Sequence, residues 1–111
     1  MEYSIYTVNL DPTIGHEIRK TRPCMVISPD EMNASLGTVI VAPMTSTFKA
    51  IPTRVRICAT PDNGLANDSY VALDQIKTVD KRRLSCKAMG RLTDTEAEEI
   101  SAILCQMFTK K

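Results

Sequence analysis

The run Thr38-Val39-Ile40-Val41-Ala42 is the clearest structural signal in the sequence. Its apolar and mostly β-branched residues have the length of a strand and predict a buried β-strand. Pro43 follows directly and cannot donate a hydrogen bond to a ladder, so residues 43–47 are expected to form a short polar loop. The other elements are placed outward from this strand.

Further strands are expected on both sides of this run: residues 5–10, 24–28, 53–57, 69–73 and 87–92. Residues 53–57 alternate with period two, which directs Val55 and Ile57 inward and leaves Arg54 and Arg56 to face solvent or a partner. Turn residues separate these strands, and a polar loop covers residues 13–21. Short helical turns are expected over residues 29–32 and 80–84.

In residues 93–111 the spacing of the apolar residues changes from the two-residue period of a strand to the three- and four-residue steps of a helix. Thr93 and Glu96 have the spacing of a capping box, which satisfies free backbone N–H groups at a helix start. The apolar residues behind this cap recur at three- and four-residue steps and form one stripe: Ala97, Ile100, Ile103, Leu104 and Met107. Many short strands and one amphipathic C-terminal helix predict a mainly β (α+β) fold, a small curled antiparallel sheet or barrel.

Composition limits the class of protein further. The 111 residues are 43% hydrophobic and carry a net charge of +1, which argues against a disordered chain and against a strongly basic nucleic-acid binder. We expect one domain over residues 1–111, and, because no apolar segment approaches membrane-spanning length, a cytoplasmic protein. The charge is uneven: residues 1–92 carry an excess of basic side chains and residues 93–111 an excess of acidic ones. An anionic ligand should therefore bind the sheet and its loops.

The four cysteines have no CxxC spacing, and the chain has one histidine, His16. Zinc sites need clustered ligands, and disulfides are rare in the cytoplasm. We therefore expect no metal and no cofactor, and we interpret the cysteines as small buried hydrophobic residues: Cys24, Cys58, Cys86 and Cys105.

Three polar loop groups could carry chemistry at strand ends: residues 15–23, residues 44–47 and Asp74-Gln75. Together they contain arginine, hydroxyl and carboxylate groups, which suit work on a phosphodiester. A guanidinium binds phosphate oxygens in a fork, a hydroxyl adds a hydrogen bond, and a carboxylate accepts a proton. On residue types alone, a solvated charged loop, an ordinary turn and a polar strand end explain the same groups.

Short motifs follow one another in order along nearly the whole chain. They are Asp11-Pro12-Thr13, Gly15, Glu17, Arg22-Pro23, Ser28-Pro29, Pro43-Met44-Thr45-Ser46, Pro52, the run Asp74-Gln75-Ile76-Lys77-Thr78-Val79-Asp80-Lys81, and Arg83-Leu84. This series resembles the MazF/PemK family of bacterial toxin ribonucleases. Residues 18–21 depart from the Gln/Gly-rich loop that is usual in that family.

The resemblance implies an SH3-like antiparallel β-barrel with short helices and a C-terminal helix, usually a homodimer. It implies the toxin of a type II toxin–antitoxin system, an endoribonuclease that cuts single-stranded RNA, usually mRNA, without metal. The ribose 2′-hydroxyl would attack phosphorus and leave a 2′,3′-cyclic phosphate and a 5′-hydroxyl. The implied partner is an antitoxin with an acidic, partly disordered segment that occupies the RNA site.

By the same resemblance, Arg22 stabilises the phosphorane, Thr45 binds the scissile phosphate and Glu17 is the best candidate base. The expected RNA-binding residues are Arg19, Lys20, Ser46, Thr47, Asp74, Gln75 and Lys77. Of these, Asp74 and Gln75 are expected to line the RNA groove and help read bases. The alternative from another class is a toxin of the same fold that inhibits DNA gyrase without catalysis. Such a protein has no use for Arg22 and Thr45 together.

Overall fold

The computed structural model describes residues 1–111 and contains a curled antiparallel sheet of seven strands. The strands are β1 (Ser4–Asn9), β2 (Thr21–Val26), β3 (Thr38–Thr45), β4 (Arg54–Ile57), β5 (Ser69–Ala72), β6 (Lys77–Asp80) and β7 (Gly90–Arg91). The helices are α1 (Asp30–Ser35) and α2 (Asp94–Phe108), and 3₁₀ turns cover Leu73–Gln75 and Lys81–Arg83. The predicted class, a mainly β barrel-like sheet with short helices and a C-terminal helix, is confirmed.

Strand β3 organises the sheet because it pairs with three other strands. The main order is β4-β5-β3-β2-β1-β7, and β6 pairs with β3 as well. The first part of β3 lies between β2 and β6, so that Val41 is opposite both Val26 and Lys77. Its last residues, Met44 and Thr45, pair instead with β5. The strand thus changes partner near its C-terminal end.

The apolar runs in β2 and β3 follow from burial of both faces of the sheet. Along β2, Cys24 and Val26 belong to one core cluster while Met25 belongs to another. Along β3, Val39 and Val41 join the first of these and Ala42 the second. Because successive side chains of a strand point to opposite faces, a sheet covered on both sides reads as a continuous apolar run.

Helix α2 covers one of the two faces. The capping box predicted at its start is present: Thr93 Oγ1 accepts from the Glu96 N–H, and Glu96 Oε1 accepts from the Thr93 N–H. Ile100 is fully buried in the core cluster that contains Met25, and Ile103, Leu104 and Met107 pack against that cluster while partly buried. Neither helix has both the length and the apolar character that crossing a bilayer requires.

Two strand boundaries lie three residues from their predicted positions, and both involve a proline. Strand β2 also ends at Val26 rather than at residue 28. Strand β2 begins at Thr21 and includes Pro23, and β3 continues through Pro43 to Thr45. The last β2–β3 pair is Cys24 with Pro43. Proline lacks an N–H but has extended backbone angles, so it can remain in a strand where the ladder with its neighbour ends.

Strand β6 was missed and β7 was overestimated. Only Val79 of β6 is buried, so a mostly polar segment pairs with β3 at its edge without an alternating apolar signal. Strand β7 contains only Gly90 and Arg91 rather than residues 87–92. Gly90 lies directly against the main chain of Asp62 and Asn63, which limits pairing there.

The interpretation of the cysteines as buried was correct for Cys24 alone. Burial raises the pKa of the Cys24 thiol to about 12, as expected for an inert core residue. Cys58, Cys86 and Cys105 are exposed. Cys105 shows the reason, because its apolar sequence neighbours lie on the buried side of α2 while the helical period turns Cys105 outward.

The buried turn around Asn63 joins the two ends of the sheet. Asn63 donates from Nδ2 to the Cys58 carbonyl at 2.8 Å, and its Oδ1 accepts from the N–H groups of Thr60 and Leu65. The turn packs directly on Gly90 of β7, and the main chain of Asp62 and Asn63 leaves no room there for a side chain. This contact holds β7 in place beside β1.

A second tertiary link is the ion pair between Arg54 of β4 and Asp74 in the turn after β5. Arg54 Nε and Nη2 donate to the two Asp74 oxygens at 2.7 and 2.9 Å, and Thr53 Oγ1 donates at 3.2 Å. The Arg54 side chain is 4% exposed and that of Asp74 is 31% exposed. The bonds from Arg54 hold the pKa of the Asp74 carboxyl below its ordinary value.

We expect Gly90→Ala to destabilise the fold by at least about 2 kcal/mol, because a Cβ there would collide with the carbonyl of Asp62 and the main chain of Asn63. Gly37→Ala is the matched control, since a Cβ at Gly37 meets no atom. It should change stability by less than about 0.5 kcal/mol. Urea unfolding of the two variants measures the difference. Equal stabilities would show that the turn does not pack tightly on β7.

We expect Asp74→Asn to destabilise the fold by about 1–3 kcal/mol at neutral pH, because it leaves the buried Arg54 charge uncompensated. The Asp74 pKa is lowered on folding, so its contribution is present above its ordinary value of 3.8 and is lost as pH falls below it. Thermal melts from about pH 7 to about pH 2.5 should therefore converge for wild type and variant at the acid end. Asp68→Asn, which breaks the exposed pair with Arg56, should have the smaller effect.

Candidate functional site

Three adjoining depressions form one groove across the sheet. The central depression, of about 310 Å³, is lined by Gly15, His16, Glu17, Ile18, Arg19, Arg22, Thr45, Thr47, Lys49 and Arg54. On one side it shares Glu17 and Ile18 with a second depression. That depression also contains Asp74, Gln75 and Lys77 and is called the Gln75 depression. On the other side it shares Arg22 and Thr45 with a third depression. That depression also contains Ser46, Asn67 and Ser69 and is called the Ser46 depression.

Arg22 and Thr45 face each other where β2 and β3 separate. Their antiparallel register would pair these two residues if the ladder continued, but it ends at Cys24 and Pro43. Thr45 pairs with Tyr70 of β5 instead. The two side chains therefore line the opening between strands that are still held together a few residues away.

The Arg22 side chain is fixed by main-chain carbonyls. Its Nε donates to the Arg19 carbonyl at 2.9 Å, and its Nη1 lies 3.4 Å from the Met44 carbonyl across the opening. These bonds use only part of the donor set of a guanidinium, and no carboxylate is paired with it. The remaining N–H groups can therefore bind an anion in the groove.

Thr45 is half-buried at the end of β3, and its Oγ1 accepts from the Thr47 N–H at 3.1 Å. This bond is the turn interaction that residue types alone suggest for residues 45–47. It orients the hydroxyl and leaves its proton free to donate. Thr45 thus serves the turn and can still donate to a ligand.

Glu17 lies at the boundary between the central and Gln75 depressions, in an exposed loop. Its Oε1 accepts from the Ile14 N–H at 2.8 Å, which fixes the carboxylate relative to its own turn. The other carboxylate oxygen is free to accept a proton or a hydrogen bond. His16 is exposed in the same loop.

Gln75 holds this loop against the sheet. Its Oε1 accepts from the Ile18 N–H at 3.2 Å and its Nε2 lies 3.4 Å from the His16 carbonyl. The two bonds bracket Glu17, so the Gln75 amide sets the position of the carboxylate in the groove. Both polar groups of the Gln75 side chain already have partners within the chain.

The other predicted groove residues of this region also have internal partners. Both Asp74 oxygens accept from Arg54, and Lys77 Nζ donates to the Leu10 carbonyl at 3.1 Å. Arg54 itself lines the central depression, which sequence reasoning missed. Its alternation with Val55 indicated an outward side chain, but the partner Asp74 could be identified only in three dimensions.

The groove has excess positive charge. Arg19, Arg22 and Lys49 line the central depression and take part in none of the chain's ion pairs. Glu17 is the only acidic residue there. The charge favours an anionic ligand, as the uneven charge along the sequence predicts.

The structure brings together nearly all of the predicted site residues. Arg22, Thr45, Glu17, Arg19 and Thr47 line the central depression, and Ser46, Asp74, Gln75 and Lys77 line its two neighbours. Lys20 alone lines none of the three, and its N–H donates to Asp11 Oδ1 outside the groove. No group of three or more His, Cys, Asp and Glu side chains is arranged to hold a metal ion.

Known proteins have sequences similar to that of this chain. Residues 2–108 match the family described as PemK-like, MazF-like toxin of type II toxin-antitoxin system. Endoribonuclease EndoA of Bacillus subtilis is 39% identical over 90% of this chain and 86% of its own. Endoribonuclease PemK of Escherichia coli is 30% identical over 95% of this chain and 79% of its own.

The fold is also found in solved structures. An endoribonuclease from Mycobacterial species, solved in complex with its cognate antitoxin, superposes with a TM-score of 0.78 at 22% identity, covering 100% of this chain and 98% of that one. The family match spans almost every residue, and the order of motifs from Asp11-Pro12 to Arg83-Leu84 agrees with it. The chain therefore belongs to the PemK-like, MazF-like toxin family of type II toxin–antitoxin systems.

Proposed function

We propose that this protein is a toxin endoribonuclease that cuts single-stranded RNA, chiefly mRNA, at a short sequence and without a metal ion. The observation that carries the proposal is the position of Arg22 and Thr45 at the boundary shared by the central and Ser46 depressions. A phosphate at this boundary would contact both residues while the strand continued into the groove on either side. The endoribonuclease names of its relatives support the same reaction class.

In the proposed reaction, the ribose 2′-hydroxyl gives its proton to Glu17 and its oxygen attacks the neighbouring phosphorus. The 5′ oxygen then leaves and takes a proton from solvent in the open groove. The products are a 2′,3′-cyclic phosphate and a 5′-hydroxyl. Arg22 stabilises the charge that builds up on the phosphorane, because its guanidinium is already oriented by the carbonyls of Arg19 and Met44. A guanidinium is a poor proton donor, so the role of Arg22 is electrostatic.

Thr45 donates one hydrogen bond to a non-bridging oxygen of the scissile phosphate. Glu17 accepts the proton of the 2′-hydroxyl, since it is the only carboxylate of the central depression. Gln75 keeps the Glu17 loop in place through Ile18 and His16. In this arrangement Gln75 acts as a positioning residue rather than as a group that reads bases.

The remaining groove residues bind the RNA strand on either side of the reacting phosphate. Arg19 and Lys49 supply charge for neighbouring phosphates, and Ser46 and Thr47 supply hydroxyl donors. Lys77 lies in the Gln75 depression, where its bond to a main-chain carbonyl leaves other ammonium protons free. Asp74 supports this end of the groove through its pair with Arg54.

We also propose that the protein is a homodimer in the cytoplasm and that its antitoxin inserts an acidic segment into the groove. The unpaired charges of Arg19, Arg22 and Lys49 support an acidic partner. An antitoxin-bound relative has the same fold.

The homodimer is tested by sedimentation, which should give twice the 12.3 kDa mass of one chain. A stable monomer at micromolar concentration would contradict the dimer.

The reaction is tested by mapping the 5′ ends of fragments of a long RNA incubated with purified protein and EDTA. We expect cleavage at a recurring short sequence, with 5′-hydroxyl and cyclic phosphate ends, and no loss of activity in EDTA. A protein that leaves RNA intact but arrests DNA supercoiling by gyrase would be the non-enzymatic toxin instead. Activity that EDTA abolishes would contradict the metal-independent reaction.

Arg22→Ala should lower the single-turnover cleavage rate by about 10²–10³-fold, because it removes one preoriented transition-state donor. Arg22→Lys keeps the charge but loses the two-pronged geometry of the guanidinium, so its cleavage rate should be strongly reduced yet higher than that of Arg22→Ala.

Thr45→Ala should reduce cleavage more than RNA binding, and Thr45→Ser should retain most activity. Lys20→Ala is the matched control, since Lys20 lies outside the groove. Full activity in a folded Arg22→Ala protein would exclude this assignment of the site.

A further inference from the structure

An aromatic pair, the exposed Phe48 and the half-buried Tyr70, lies beside the proposed phosphate site. The rings of Phe48 and Tyr70 have centroids 5.5 Å apart and are tilted by 58°. Phe48 is 63% exposed and lies in a loop between the polar residues Thr47 and Lys49. The contact with Tyr70 holds the Phe48 ring while most of it remains accessible to a ligand.

The sheet register connects this pair directly to Thr45. Tyr70 is opposite Thr45 of β3 on one side and opposite Arg56 of β4 on the other. Directly paired residues project from the same face with their Cβ atoms close together. The neighbouring Val71 is buried, so Thr45, Tyr70 and Arg56 form a row on the outer face of the sheet.

The charge around the pair suits a nucleic acid strand. Lys49, next to Phe48, lines the central depression and has no carboxylate partner. The nearest acidic side chain along the row, Asp68, is engaged on both oxygens, by Arg56 at 2.9 Å and by the Ala59 N–H at 2.7 Å. Asp68 therefore has no carboxylate oxygen without a partner to oppose the approach of a phosphate along this row.

We propose that Phe48, supported by Tyr70, is a base-stacking platform for a nucleotide beside the scissile phosphate, and that it contributes to affinity and sequence preference. This inference rests on the proposed function. Aromatic side chains bind unpaired bases by stacking, whereas duplex bases are already stacked and inaccessible. The platform would therefore also favour single strands over helices.

The chain has no tryptophan, so Phe48→Trp introduces a single fluorescent reporter at the platform. The probe is a mixed-sequence RNA 12-mer methylated at every 2′ oxygen, which removes the nucleophile and prevents cleavage. We expect its binding to quench the fluorescence of Phe48→Trp, and an abasic strand of equal length to cause little quenching. Phe108→Trp is the matched control, because Phe108 is 70% exposed at the end of α2 and should give no signal.

Phe48→Ala should weaken binding of the methylated probe by at least about five-fold by anisotropy, while Phe108→Ala should not. With cleavable RNA, Phe48→Ala should raise KM more than it lowers kcat and should shift the distribution of mapped 5′ ends. Unquenched Phe48→Trp with the probe bound, or wild-type affinity in Phe48→Ala, would overturn the platform while leaving the cleavage proposal intact. Failure of wild-type protein to bind or cleave RNA would instead overturn the proposed function.

Discussion

The separation of β2 from β3 after Cys24 and Pro43 is the constraint on which the site depends. The β2–β3 ladder ends beside Pro23 and Pro43, which have no N–H to donate, and β3 turns to pair with β5. Two strands that are firmly joined by their buried halves thereby hold Arg22 and Thr45 on opposite sides of an opening. The sheet therefore fixes the positions of Arg22 and Thr45, because both residues lie within its strands.

The elements that sequence analysis predicted well are those whose own residues determine them. The buried strand at residues 38–42 and the capped amphipathic helix each carry a complete local pattern, and both are present. The sheet class followed from these patterns together with the turn residues. The end of β3 was misplaced because a proline stops a ladder but does not by itself stop an extended chain, and local sequence does not reveal the change of partner.

The predictions for the site also divide into those that local sequence could give and those that depend on distant residues. Arg22, Thr45 and Glu17 were identified by their motifs, and all three line the central depression. The roles of Asp74 and Gln75 were not predictable, because their partners are distant in the sequence: Gln75 meets Ile18 across 57 positions and Asp74 meets Arg54 across 20. Sequence identified these side chains as important, and the structure gives them internal partners that support the groove.

The packing of Ile100 has a consequence for the order in which the protein is synthesised. Ile100 of α2 completes the core cluster that also contains Ile5, Met25 and Met44, and the last of these directly precedes Thr45. Strand β1 likewise acquires its outer neighbour, β7, only from a late part of the chain. A nascent chain that has not yet extended through α2 therefore lacks part of the support beneath its groove.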